Sequence, residues 1–173
     1  MYTVMVTSQT AGDALVAELQ WVHRVIRHDL ETVRRLADEV GDGLSGAEAA
    51  ATIEELAVGS PLWQLRINCL TYCRFVHMHH HAESAMLFPQ LRRSDPALGP
   101  VVDKLEADHA RVSDLLDEVS AAAQSLAGTE DAEMRKRLIV ALNSLSDDLL
   151  AHLDYEEENI SGTLRTWTSW AGW

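Results

Sequence analysis

Two phrases in distant parts of the chain, His79-His80-His81-Ala82-Glu83 and His152-Leu153-Asp154-Tyr155-Glu156, set a histidine four residues ahead of a glutamate. Each lies in a segment whose apolar residues recur at helical intervals. Positions i and i+4 share one face of an α-helix, one turn apart. Each segment therefore offers an imidazole and a carboxylate to the same point. A carboxylate buried alone must neutralise itself or find a cation. Two such phrases favour a fold that brings helix faces together around a shared positive charge.

The helical segments can be bounded from the pattern. Residues 12–40 carry Leu15, Leu19, Val22, Ile26, Leu30, Val33 and Leu36 at three- and four-residue steps, the stripe of a buried helix face. Gly41-Asp42-Gly43 ends that helix. Ser45 with Glu48 reads as a capping box and starts a short helix to residue 58. Ser60 as N-cap and Pro61 in the first turn start a third helix, which reaches residue 91. Pro89 forces a kink or stop near its end. Asp95 and Pro96 repeat the starting signal for a fourth helix to residue 126, closed by Gly128. Thr129 caps a fifth helix that reaches residue 160, ahead of Gly162.

Four long helices with short connections pack as antiparallel neighbours. The expected fold is all-α: an antiparallel up-down-up-down four-helix bundle with one additional short helix between the first two bundle helices. The bundle would occupy residues 12–162 of a single domain covering 1–173. Residues 163–173 hold Trp167, Trp170 and Trp173 and form a tail that either packs across one end of the bundle or contacts a partner, local packing being the expectation.

Composition narrows the function classes. A chain of 173 residues, 47% hydrophobic with 4 prolines, can bury a real core. Its net charge of −13 sets it against nucleic acid and anionic membranes. No apolar run is long enough to span a bilayer, and the first ten residues lack a secretory pattern. The expectation is a cytoplasmic protein, a monomer or weak homodimer. Cys69 and Cys73 sit one helical turn apart, poorly placed for a disulfide and suited to core packing.

With His79 as the zero of angle and about 100° per residue, Glu83 falls about 40° away, Tyr72 about 20° and His80 about 100°, at the margin of the face. His77 and His81 point well away. Glu156 falls about 40° from His152 by the same rule. On the first helix, His28 lies among Val25, Thr32 and Arg35, within or at the edge of the apolar face, and His23 points off it. On the fourth, His109 lines up with Val102, Leu105 and Leu116. Each long helix thus brings one histidine inward and two also bring a glutamate. His28, His79, Glu83, His109, His152 and Glu156 are the candidate metal ligands, with His80 and Tyr72 as candidate additions. Such a mixed imidazole and carboxylate shell favours iron or manganese over structural zinc. Two glutamates are able to bridge a pair of ions. The run from His77 to His81 has a second reading, a loose surface metal patch.

The order His28, His79-x-x-x-Glu83, His109, His152-x-x-x-Glu156 resembles the hemerythrin-like proteins, the hemerythrin HHE cation-binding family. The phrase Glu83-Ser84-Ala85-Met86-Leu87-Phe88-Pro89 is similar to that family's helix-terminal motif, and the resemblance covers residues 15–160. It implies a non-heme centre of two iron ions, oxo- or hydroxo-bridged, with both glutamates bridging. The order of histidine before glutamate separates the chain from ferritin-like bundles, which use Glu-x-x-His. Three departures stand out. Leu105 takes the place of a second histidine found in the oxygen carriers, and Ser84 that of a second glutamate. Glu156 and Glu157 stand where the carriers end on an aspartate five residues after the last histidine. One histidine fewer leaves a seventh ligand position, which Tyr72 or His80 could fill. The short extra helix and free-standing domain look like the family's actinobacterial branch. What the resemblance implies is a small-molecule partner, dioxygen, hydrogen peroxide or nitric oxide, in a stress or redox role with catalase-like or oxidase activity. Tyr72 and Tyr155 would then supply hydrogen bonds or electrons. The alternative is a non-catalytic iron or oxygen sensor, or an iron-binding module, that works through partner contacts.

Overall fold

The computed structural model describes residues 10–43, 61–126 and 132–169. Their helices are α1 (Ala11–Gly43), α2 (Pro61–Ala82), α3 (Phe88–Ser94), α4 (Gly99–Ser125) and α5 (Ala132–Arg165). A π-helical turn, Glu83–Leu87, joins α2 to α3 without a break in helical backbone, and a 3-10 turn, Pro96–Leu98, leads into α4. The short helix expected over residues 45–58, Ser60, Gly128 and the Thr129 cap lie outside the described residues.

Of the kink or stop expected at Pro89, the stop does not occur, and the helix outruns its expected end at residue 91. A helical proline lacks an N–H and its ring clashes with the carbonyl four residues back. Here the preceding turn widens, so that the N–H of Phe88 reaches the carbonyl of Glu83, and the helix then runs on to Ser94. Asp95 does cap a turn, its carboxylate accepting from the N–H of Ala97 at 3.2 Å. That turn is the 3-10 one, and the long helix begins three residues later, at Gly99.

The fifth helix also outruns its expected end, passing Gly162 to reach Arg165. A glycine inside a helix costs only about 1 kcal/mol, less than the burial of Leu164 and Trp167 returns at roughly 1.5–3 kcal/mol per large apolar side chain. Trp167 packs with Leu15, Leu91 and Leu164, and its indole N–H donates to Ser94 Oγ at 3.2 Å. For this tryptophan, local packing is what the structure shows; Trp170 and Trp173 lie outside the described residues. Gly12 makes the closure tight. A Cβ there would stand 2.3 Å from the carbonyl oxygen of Leu164.

α1 packs on α2 and α5, and α4 packs on the same two, which gives a four-helix bundle. His23 meets Glu157 where Arg34 meets Asn143, so α1 and α5 run in opposite directions. The pairs His77–Asp117 and Ser84–His109 show the same for α2 with its π turn against α4, and His109–His152 with Arg111–Asp148 for α4 against α5.

The core has two apolar layers. One holds Ile26, Leu30, Val76, Val112, Leu116, Leu149 and Leu153 among others; the second holds Leu19, Leu87, Phe88, Leu105, Ile160 and their neighbours. Between them every bundle helix changes character for about one turn. His23 separates Leu19 from Ile26, and His109 separates Leu105 from Val112. His79, His80 and Glu83 fall between Val76 and Leu87, and His152 with Glu156 interrupts the stripe ahead of Ile160. Among the described residues no helix is long and apolar enough to cross a membrane.

Candidate metal centre

The polar layer gathers five histidines and two glutamates, none more than 9% exposed: His23, His79, His80, Glu83, His109, His152 and Glu156. Five of the six expected ligands are present. His28 is not. It is exposed on α1, and the buried position belongs to His23. The helical geometry explains the correction. His23 follows Leu19 by four residues and precedes Ile26 by three and Leu30 by seven, so it sits on the apolar stripe. His28 lies two residues past Ile26, far round the helix. The spacing was legible in the sequence and points to His23.

His80, placed at the margin by the sequence pattern, is buried as well. α2 packs against both α1 and α4, so two faces about 100° apart are both interior. His79 turns toward α1, its ring centroid 5.2 Å from that of His23. His80 turns toward α4, stacked on His109 at 4.0 Å. Glu83 lies between them in angle. His77, half-buried, and His81, exposed, stay outside the layer.

The side chains form two groups of prospective ligand atoms, His23, His79, Glu83 and Glu156 in one and His80, Glu83, His109 and His152 in the other, each within 4.8 Å. Glu83 belongs to both. Its Oε1 faces His79 Nε2 at 3.1 Å and its Oε2 faces His109 Nε2 at 3.3 Å. Glu156 Oε2 likewise lies 3.4 Å from His23 Nε2 and 3.9 Å from His152 Nε2. Glu83 thus spans the two groups, and Glu156, a member of the first, comes near His152 of the second. The π turn that begins at Glu83 fits this role, since π-bulges inside α-helices are frequent at functional sites.

Satisfaction of the buried polar atoms tests whether these residues suit a metal. Both carboxylate oxygens of Glu83 and of Glu156, and Nε2 of His23 and of His80, are fully buried without a hydrogen bond. Orphaned groups of this kind are rare in native proteins. His109 Nε2 and His152 Nε2 approach to 3.2 Å, nose to nose. Lone pairs and carboxylates converging on a dry interior are unfavourable alone, and cations between them resolve the conflict. The donor set fits.

Outer contacts fix which ring nitrogen faces inward, as at metal sites generally. His23 donates through Nδ1 to Glu157 Oε1 at 2.8 Å, and Arg27 holds that same oxygen at 2.8 Å and Asp154 at 2.7 Å. Ser84 Oγ and His109 Nδ1 share a hydrogen bond of 2.9 Å. Ser84, one of the departures from the family motif, therefore orients a histidine. Asp108 lies 3.8 Å from His152 Nδ1 and pairs with Lys104, whose ammonium sits 4.2 Å above the Tyr155 ring.

Electrostatics of the metal-free layer divide the histidines. Burial, then the neighbouring imidazoles, pushes His79 down to about 3 and His109 to about 2. The same causes lower His80, and burial lowers His152. These rings are neutral at physiological pH, the state that binds metal. Burial alone would lower His23 too, but the Glu156 and Glu83 carboxylates outweigh it and raise it to about 10. Glu83 is pushed up, first by burial and then by Glu156.

The two tyrosines differ. Tyr72 is buried with Cys69 and Cys73 in the larger apolar layer, and burial holds its hydroxyl well above the ordinary phenol value. Tyr72 lies in the apolar layer and belongs to neither group of prospective ligand atoms. Tyr155 packs at the edge of the smaller layer. Both cysteines are buried and free, and burial pushes Cys69 up to about 12.

An all-helical bundle whose interior layer presents two linked histidine and glutamate groups is a protein built to hold metal cations. The model of one family, the hemerythrin HHE cation-binding domain, matches residues 14–164. The chain belongs to that family. No curated protein and no solved structure matches it.

Proposed function

We propose that the chain holds two iron ions and uses them to bind or react with dioxygen, hydrogen peroxide or nitric oxide. The observation that carries this reading is the pair of ligand groups sharing Glu83, with Glu156, a member of the first, near His152 of the second. His23, His79 and His80 from α2 and α1, and His109 and His152 opposite, would serve as terminal ligands, and the two glutamates as bridges. Iron bound there would supply redox and Lewis-acid chemistry toward the small molecule. The chain's own residues do the rest. Ser84 and Glu157 set the orientation of His109 and His152's neighbour His23. Leu105, Phe88 and Leu153 keep the layer dry. A cleft of about 280 Å³ lined by His80, His109 and Ser84 reaches the layer from outside and suits a diatomic or peroxide. The antiparallel contacts favour an up-down-up-down course for the bundle.

The decisive experiment compares three proteins purified from iron-supplied cells: wild type, His23→Ala and His28→Ala. Wild type and His28→Ala should each carry two irons per chain with near-ultraviolet absorbance of a ferric pair, and His23→Ala should lose iron. Added peroxide should then change the spectrum and release oxygen. Retention of both irons by His23→Ala with loss in His28→Ala would overturn the ligand set. Colourless wild-type protein without iron would overturn the function.

A further inference from the structure

The run from His77 to His81 holds two histidines that the buried layer does not use. His77 and His81 stand four residues apart on α2, so their imidazoles lie along one face at a spacing that lets both reach one ion. His77 is half-buried, its Nε2 3.4 Å from Asp117 Oδ1 on α4, and His81 is exposed. Both line the 280 Å³ cleft that also touches His80 and His109. Ser84, Ala110 and Ser113 make up the remaining wall, and their small side chains leave it open. The cleft therefore carries accessible imidazoles outside and buried imidazoles within.

We propose that His77 and His81 at the mouth of the cleft, with Asp117 beside His77, form a surface receiving site for a divalent transition-metal ion, from which the ion passes along the cleft to His80 and His109. The delivery role rests on the reading of the buried layer as an iron centre. A hydrated ion meets a barrier at such a layer, because it must shed water before dry ligands can replace it. Two imidazoles at the mouth, with the Asp117 carboxylate next to His77, take over part of the hydration shell by simple ligand exchange, with no change of oxidation state. Imidazole suits ferrous iron, and the chain's net charge of −13 draws cations toward the surface.

The test uses chelator-stripped full-length protein and ferrous iron under anaerobic conditions, for wild type, the double variant His77→Ala/His81→Ala, and His28→Ala as a control that removes an exposed histidine elsewhere. Bound iron is measured at equilibrium and over time. Wild type and control should hold the tight ions of the buried layer plus one weaker ion. The double variant should lose only the weaker ion and fill the buried layer several-fold more slowly, to the same final content. Asp117→Asn should weaken the outer ion alone. A double variant that keeps the weaker ion, or that loads as fast as wild type, overturns the proposal. Absence of tight ions in wild type and control would instead refute the buried iron centre and the delivery role with it, while the weaker ion would still report on the surface site.

Discussion

Replacing Glu83 by glutamine should move stability in opposite directions with and without metal. In the metal-free protein the carboxyl is fully buried beside Glu156, and its pKa is raised from 4.5 to about 8. The unfolded chain loses that proton near 4.5, so between 4.5 and 8 the native state holds more protons and stability falls as pH rises. At pH 7 the interval is about 2.5 pH units, which at about 1.4 kcal/mol each is a penalty of roughly 3–4 kcal/mol. Glutamine is neutral in both states and carries no such penalty. Its amide NH2 replaces one of the two carboxylate oxygens and so meets one acceptor, His79 Nε2 at 3.1 Å or His109 Nε2 at 3.3 Å. Metal-free Glu83→Gln should thus be more stable than wild type by about 1–3 kcal/mol at pH 7, a rise in Tm of roughly 2–4 °C per kcal/mol for a chain of this size. The gain should shrink below about 1 kcal/mol at pH 5, where wild type is scarcely penalised. The metal-loaded variant should show the reverse, losing iron and the stabilisation that bound ions confer. Thermal denaturation of chelator-treated and iron-loaded samples, with elemental analysis, reads all four values. A variant that is destabilised without metal and keeps its full iron content would refute the shared-carboxylate argument.

Two further outcomes follow from the same geometry. Once the Glu83 carboxyl is removed, acid should destabilise the metal-free protein: the rings of His79 and His109, lowered to about 3 and 2, stay neutral when folded but charge below 6.5 when unfolded, so their contribution falls with acid. The loss should approach about 1.4 kcal/mol per pH unit for each such ring. His23, raised to about 10, acts in the opposite sense, its contribution being present below 6.5 and lost as pH climbs through 10. Denaturant titrations of stripped Glu83→Gln, which lacks the opposing carboxyl, at acid, neutral and alkaline pH check both arms; equal stability of that variant at pH 7 and pH 5 would contradict the buried neutral rings. Gly12→Ala should cost about 1–3 kcal/mol through overpacking, because the new methyl meets backbone atoms of Leu164 and Arg165 that cannot rotate away. Its iron content should be unchanged, and a Tm equal to wild type would show that the α1–α5 contact is looser than described.

Some of the site was legible from one chain because its signal is local. The two histidine-to-glutamate steps of four residues put His79 with Glu83 and His152 with Glu156 by helical periodicity alone, and His109 falls on a plain apolar stripe. His23 was equally legible, by its spacing from Leu19, Ile26 and Leu30; a choice between two histidines on one helix turns on an angle that the sequence supplies. The long helices also followed from periodicity, although their ends did not. Gly162 and Pro89 are local breakers, and each was overridden by contacts from elsewhere: Trp167 and Leu164 burying against α1 and α3, and a widened turn that places Glu83.

Residue spacing alone sets the inward faces, since it fixes the angular order of side chains around each helix. The tertiary structure alone decided which faces have a neighbour. His80 sits about 100° from His79, and on an isolated helix that angle is the edge of the apolar stripe. Packing of α2 between α1 and α4 makes both directions interior, so His79 joins His23, His80 joins His109, and Glu83 falls between the two groups. The pairing of Ser84 with His109 and of Glu157 with His23 was likewise set by which helices meet, because those contacts join residues 25 and 134 positions apart.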